Sequence, residues 1–468
     1  MTDLAIVLDE GSGKHLYQQI YEYIAREIKG GKLLAGEKLP STRSLAEYLQ
    51  VARSTVELAY EQLLSEGYIE SAPYRGYFIC RVEELYRIDT AFGRTDRPGE
   101  RAEQEKEAGY EIDFSPNAID MSFFPFSIWR RITREILGGN RRELFALGEP
   151  RGDLQLRETI CRYLHSSRGV NASPRQVIVG AGNDYLLVLL QYILGRQIRV
   201  AFENPSYRRA YRIFSSFASE TLTVPSDDSG MQVEGLEKTG ADVAYVMPSH
   251  QYPTGRVMPI GRRLELLRWA AGDEGRYLIE DDYDSEFRYR GKPVPSLQSS
   301  DTAGKVIYIG TFSKSIAPAI RISFMVLPVQ LLARYEENCA FFSSTVSRID
   351  QTILNEFIQS GAFERHLNRM RKVYREKHDI LLEELKPLLT RYRLSGERAG
   401  LHVLLTSREP ADEETLTASA AARGVRIYGL KETALAPYQT DCATLLLGFA
   451  GLDGSQLREG VRRLREVL

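Results

Sequence analysis

GTFSKSIAPAIRISF, residues 310–324, holds a single lysine, Lys314, between two serines and seven residues ahead of Arg321. The apolar run VIYI (306–309) before it reads as a strand, so Lys314 falls in the loop beyond that strand. Working outward, RYLI (276–279) is a second such run, and EDDYDSEF (280–287) follows it directly. An acidic residue at the end of a buried strand is costly unless it meets a cation. Asp281 precedes Lys314 by 33 residues, and both follow apolar strands. QVIVGAG (176–182), IRVAFE, DVAYVMP and ISFMVLP are further short, β-rich and nearly all-apolar runs, with helical NDYLLVLLQYIL after the first. Such runs fit strands buried on both faces of a mainly parallel sheet, the α/β layered class. Open α/β sheets bind ligands at the carboxyl ends of their strands, and the distinctive residues gather there. After about residue 330 come long helices (348–387), then LHVLLTS, a helix, GVRIY, ATLLLGF and a final helix. That pattern predicts a smaller C-terminal α+β subdomain.

A lysine amine that forms a Schiff base, with a carboxylate for a pyridinium nitrogen, is what pyridoxal phosphate requires. On this reading Lys314 forms the Schiff base and Asp281 keeps the ring nitrogen protonated. Tyr283 donates to the ring's phenolic oxygen. Gly182 and Asn183, at the turn opening a helix, offer backbone amides to the phosphate, joined by Ser313 and Arg321. Tyr207, in ENPSYRRAY, is the aromatic that stacks on the ring. Each residue alone has an ordinary explanation: a solvated loop lysine, a helix cap, a half-buried aromatic.

Together, GAGND, ENPSY, PSHQYPTG, EDDYDSEF and SKSIAPAIR resemble, in order and spacing, the fold-type I aminotransferases over residues 112–468. In that family the lysine of the SKS-like motif carries the cofactor, which maps to Lys314. Two features depart from the family. Tyr252-Pro253-Thr254-Gly255 stands where the enzymes have Asn-Pro-x-Gly, leaving His250 and Gln251 to serve in place of the Asn. The arginine that holds a substrate carboxylate has no clear match near Lys431 and Glu432, and Arg426 is the nearest guess.

The N-terminal segment reads differently. KHLYQQIYEYIAREIKGG places Leu16, Ile20, Ile24 and Ile28 on one helical face. Ser41 is an N-cap for TRSLAEYLQ, and RSTVELAYEQLLSEG is a third helix. YIES and YFIC, around APYRG, predict a hairpin. This is a winged helix-turn-helix arrangement, with Arg53, Ser54 and Thr55 at the start of the helix that would enter the major groove. Residues 1–80 carry eight Lys/Arg against eleven Asp/Glu, so no basic field marks the domain, and a protein-docking role fits the periodicity equally well. LYQQI, LPSTRSLAEYL, ARSTVELAYEQLLSEGYI and RGYF resemble the GntR family of bacterial winged-helix regulators. That resemblance implies contacts to double-stranded operator DNA from Arg43, Arg53, Ser54, Thr55 and Gly76. Ala52 stands where the family has Ser, and Ser54-x-x-Glu57 could form a capping box one turn later, so a shifted helix start is expected.

With both segments in one chain, the sequence resembles the MocR-type transcriptional regulators. The resemblance implies a winged helix (12–80), a charged flexible linker (81–111) and a pyridoxal-phosphate-binding sensor (112–468). It implies an amine, an amino acid or the cofactor itself as effector, with Arg209 contacting it, and a head-to-tail homodimer. The competing reading is a working aminotransferase with an appended docking domain. The composition, 43% apolar and 26% charged with net charge −2, is that of a soluble globular protein. YLLVLLQYIL (185–194) is too short to span a bilayer. The N-terminus lacks the pattern of a signal peptide. Four scattered cysteines and six histidines without an HxxxH pair predict no metal site and a cytoplasmic protein.

Overall fold

The computed structural model describes residues 4, 6–9, 11, 13–81, 110–139, 141–195, 197–217, 220–289, 294–438 and 440–468. The chain divides into two compact units, Met1–Lys106 and Glu107–Leu468. Residues 82–109 of the expected linker lie outside the described residues.

In the N-terminal unit, helices Leu16–Lys29, Thr42–Leu49 and Arg53–Ser65 precede an antiparallel hairpin, Ile69–Ala72 with Gly76–Ile79. Ile20, Ile24 and Ile28 meet Leu45, Val56, Ala59 and Leu63 in one apolar core. The Ser41 hydroxyl accepts from the Ser44 amide at 3.1 Å, capping the second helix as its residue type predicts. The third helix departs from expectation. It begins at Arg53 with Ala52 as its N-cap and no side-chain cap bond. Glu57 pairs with Arg53 at 2.8 Å instead of reaching back to close a box on Ser54. Tertiary packing of Val56 and Ala59 fixes the helix start without the cap.

The second unit is built on an eight-stranded sheet. Its order is Val177–Gly180, Ser323–Val326, Val306–Thr311, Tyr277–Asp282, Val243–Val246, Arg199–Asn204, Glu220–Asp227 and Gly230–Met231. The pairs from Val306–Thr311 across to Glu220–Asp227 are all parallel. Ser323–Val326 runs antiparallel to both neighbours, and Gly230–Met231 is an antiparallel edge. Both sheet faces are covered, which is why the strands read as unbroken apolar runs. Ile307 and Ile309 point into one core with Leu186, Leu190 and Phe202, whereas Tyr308 points into another with Phe312 and Phe357. The parallel strands end on one side, and the loops leaving that side carry Tyr207, Tyr283 and Lys314. The smaller part is a four-stranded antiparallel sheet, Tyr392–Ser395, His402–Ser407, Thr444–Gly448 and Tyr428–Gly429. Beside it, Ile112–Asp113 pairs in parallel with Val425–Arg426.

Candidate functional site

A cavity of about 300 Å³ opens at the carboxyl ends of the parallel strands. Gly182, Asn183, Tyr207, Arg209, Asp281, Tyr283, Ser313, Lys314 and Arg321 all line it. Nine residues singled out over 140 positions of sequence therefore share one wall.

Lys314 donates from Nζ to the Asn117 carbonyl at 3.0 Å and lies 3.4 Å from its Oδ1. Burial pushes its ammonium down to about 8, against a smaller opposing pull from Asp284. Asp281 is buried at the end of its strand, where the Tyr245 hydroxyl donates to Oδ2 and Asn183 Nδ2 lies 3.4 Å from Oδ1. Burial pushes this carboxyl up to about 7, with Asp282 and Asp284 adding to the rise and the Tyr245 bond opposing it. A cation placed beside Asp281 would reverse that rise. Tyr283 turns its hydroxyl to His250 Nδ1 at 2.9 Å, and the same nitrogen lies 2.9 Å from Asp284 Oδ2.

Gly182 caps helix Asn183–Leu194 with φ +88°, and a Cβ there would fall 2.7 Å from Arg321 Nη2. A backbone amide and a guanidinium thus approach as closely as a side chain would forbid. The Asp184 carboxylate sits 3.3 Å from Arg321 and 3.4 Å from Arg209, in the first turn of the same helix. Tyr207 and Tyr252 meet edge-on at 6.1 Å, and Tyr252 meets Tyr283 likewise at 6.3 Å.

Some expectations need correction. Neither His250 nor Gln251 lines the cavity, so neither stands in for the missing Asn. His250 supports Tyr283 from behind, and Gln251 is occupied by the Pro205 carbonyl and the Thr254 amide. Tyr252 itself takes the wall position. Arg426 lies over the rings of Tyr110 and Tyr428 and 3.9 Å from Asp113, outside the cavity. An adjoining cavity of about 200 Å³ shares Tyr207, Arg209 and Tyr252 and adds Tyr428, Glu432 and Leu446. Its C-terminal side supplies no cation among the described residues; its arginines, Arg208 and Arg209, come from the helix after Tyr207. Sequence reasoning missed Asn117, Asp184, Thr311 and Ser323 on the wall and Tyr245 behind Asp281.

In the N-terminal unit Arg43, Arg53 and Ser54 are exposed at the first turns of their helices, and Thr55 is half-buried. Arg43 lies 3.1 Å from Glu47, an exposed pair like that of Arg53 with Glu57. Gly76 opens the second hairpin strand with φ +109°.

Comparison with known proteins bears on both units. Residues 16–79 match the bacterial regulatory proteins of the gntR family, and residues 117–464 match the class I and II aminotransferases. An uncharacterized HTH-type transcriptional regulator of Bacillus subtilis, YdeL, is 41% identical over 96% of each chain. The probable rhizopine catabolism regulatory protein MocR of Rhizobium meliloti is 32% identical over 99% of this chain and 95% of its own. The chain belongs to the MocR-type regulators. The pyridoxine biosynthesis regulator PdxR of Corynebacterium glutamicum is another such relative, 31% identical over 98% of this chain and 97% of its own. Among solved structures, the kynurenine aminotransferase of Pyrococcus horikoshii superposes with a TM-score of 0.69, at 25% identity, over 82% of this chain and 97% of that one. The MocR-type chain therefore joins a GntR winged helix to a fold-type I aminotransferase fold.

The cavity of this MocR-type protein fits pyridoxal phosphate on its own chemistry. Asn183 Oδ1 is buried without a hydrogen-bond partner among the described residues, Gly182 and the Arg321 guanidinium approach closely at the start of a helix, where an anion is favoured, and Lys314 and Asp281 face one space.

Proposed function

We propose that the aminotransferase-like unit binds pyridoxal phosphate covalently through Lys314 and acts as the sensor of a DNA-binding transcriptional regulator. The observation that carries this reading is the convergence of Lys314, Asp281, Tyr283, Gly182 and Arg321 on one cavity in a chain that also bears a winged helix. Asp281 holds the ring nitrogen, Tyr283 holds the phenolic oxygen, and Tyr207 lies against the ring. Gly182, Asn183, Ser313 and Arg321 hold the phosphate. Bound there, the cofactor supplies an electrophilic carbon that captures primary amines. Arg209, at the mouth of both adjoining cavities, orients the acidic group of an amine or amino-acid effector.

Arg43, Arg53, Ser54, Thr55 and Gly76 contact operator DNA, and the protein acts as a homodimer. Two reading heads raise affinity at a matched operator spacing. A cytoplasmic location follows from this role, and among the described residues no helix is long and apolar enough to cross a membrane. The test joins two readouts on one sample. Amines, amino acids and pyridoxal phosphate are titrated while visible absorbance and operator affinity are recorded together. An effector that changes both supports the sensor, and absorbance changes without any effect on DNA affinity refute it.

A further inference from the structure

A second cavity, of about 940 Å³, lies between helix Leu154–Arg168, the loop after strand Tyr277–Asp282, and helices Arg348–Gln359 and Ala362–Leu385. It shares no lining residue with the cofactor cavity. Four arginines line it, and their pairing differs. Arg168 is committed, with Nε on Asp282 at 2.7 Å and its other nitrogens on the Val294 carbonyl and the Ser249 hydroxyl. Arg162 donates to the Thr159 hydroxyl at 2.9 Å. Arg371 donates to the Glu286 carbonyl and to Asn368 Oδ1, both neutral acceptors at 2.8 Å, and makes no ion pair among the described residues with Glu364, which also lines the cavity. Arg288 is half-buried and makes no side-chain hydrogen bond or ion pair among the described residues. Its Nε is sealed from solvent without a partner.

Glu286 does not supply the missing counter-charge. Its Oε1 accepts from the Tyr163 hydroxyl at 2.9 Å, and burial, then Asp282, push its carboxyl up to about 7. A guanidinium taken partly out of water without an anion is unfavourable, and planar oxyanions are what its fork fits. We propose that this cavity is a second ligand site, which takes a small organic anion by its carboxylate or phosphate oxygens on Arg288 and Arg371.

The site is placed to regulate the first. Within six consecutive residues, Tyr283 lines the cofactor cavity while Ser285, Glu286 and Arg288 line the second. Phe287, buried between them, anchors the segment in the core. An anion that draws Arg288 therefore pulls on the backbone that carries Tyr283. Ligand binding itself does not rest on the cofactor assignment; only this coupling does.

The test titrates full-length protein, cofactor-loaded, with inorganic phosphate and separately with succinate, by calorimetry and by visible absorbance. At least one probe is expected to saturate below about 10 mM, and the cofactor absorbance to shift as it does. Arg288→Gln should weaken that binding about tenfold or more while leaving cofactor affinity unchanged. Glu286→Gln, which keeps an acceptor for the Tyr163 hydroxyl without an ionisable group, should bind the probe at least as well as the parent. Absence of saturation by both probes, or an Arg288→Gln variant that binds like the parent, overturns the site. Saturable, Arg288-dependent heat with no absorbance change keeps the site and overturns its coupling to the first cavity. Should the protein fail to take up pyridoxal phosphate, the calorimetric difference between parent and Arg288→Gln still decides the second site.

Discussion

His250 Nδ1 lies 2.9 Å from the Tyr283 hydroxyl oxygen. The same nitrogen lies 2.9 Å from Asp284 Oδ2, and a carboxylate only accepts, so Nδ1 carries the proton. The Tyr283 oxygen then accepts as well, and its own proton is free to point into the cavity. With pyridoxal phosphate held as proposed, Tyr283→Phe would remove that donor from the ring's phenolic oxygen, which would make the oxygen a better partner for a proton on the Lys314 nitrogen. The pH midpoint of the bound cofactor's visible absorbance should rise by about one unit, since a hydrogen bond to a charged group contributes roughly 1.5–3 kcal/mol. His250→Phe should move the midpoint the same way by less. An unchanged midpoint in Tyr283→Phe removes the tyrosine from this role.

Lys314 reacts only as the neutral amine, and burial sets its pKa at about 8. Cofactor capture by stripped protein should therefore quicken with pH up to about 8 and level above it. A solvated lysine would keep quickening to about 10.4. The linkage has a definite sign. From about 8 to 10.5 the unfolded chain holds a proton at this residue that the folded chain has lost. Stability of the stripped protein from this group thus increases with pH across that window. Lys314→Met should abolish the increase, as read by denaturant titration at pH 8 and 10.

Gly182→Ala separates backbone strain from loss of the cradle. The new Cβ would meet Arg321 at 2.7 Å in a residue with φ +88°. Gly195→Ala is the control, because its φ is +101° with nothing among the described residues within 4 Å of the added carbon. Both should lose stability, by about 1–3 kcal/mol, because each combines a positive φ with an extended ψ (166° and 171°) that essentially only glycine adopts. Only Gly182→Ala should weaken cofactor affinity, by about tenfold or more, measured by equilibrium dialysis. Equal affinity in both variants would remove Gly182 and Arg321 from the phosphate site.

The legibility of this site in the sequence follows from its construction. Lys314, Asp281 and Gly182 stand out because each follows an all-apolar run within a few residues, just beyond or at the end of a strand where ligands bind. Asn117 could not stand out. It lies 197 residues before Lys314, in a loop held by the pairing of Ile112–Asp113 with Val425–Arg426, and no local pattern encodes that pairing. Tyr245 reads as core, and it is core except for the hydroxyl on Asp281. The third helix of the winged unit shows the opposite error, where a local rule about caps was overridden by packing at Val56 and Ala59.

Arg53→Ala should erase preference for operator over random duplex, since one good bidentate base contact discriminates by roughly 1–3 kcal/mol. Equal preference in mutant and parent, by fluorescence anisotropy, would displace Arg53 from the groove. Glu57→Gln acts in the other direction. It frees Arg53 from its 2.8 Å partner and removes a negative charge near phosphate. Operator binding should tighten, and the gain should shrink as salt is raised, because exposed charges are screened. A gain that persists at high salt would point to a contact other than charge.

The remaining question is turnover. Exchange of an amine onto the proposed cofactor would ask only for Lys314 and for Asp281 to hold the ring. Repeated transamination also asks for a positioned carboxylate, directed proton transfer and product release. Here the C-terminal side of the adjoining cavity presents Tyr428, Leu446 and Glu432 to the substrate, and Tyr252 occupies the wall beside Tyr283. Arg209, whose Nη1 lies 3.4 Å from Asp184, is the residue proposed to hold an acidic group from the opposite side. Amino acids should therefore change the absorbance in a single half-reaction or less, with no sustained production of keto acid. Arg209→Gln should raise the concentration of acidic effector needed for that change about tenfold, and leave the response to simple amines alone. Turnover with any common amino acid at about 1–1,000 per second, followed by keto-acid release, would overturn this reading and favour a working aminotransferase.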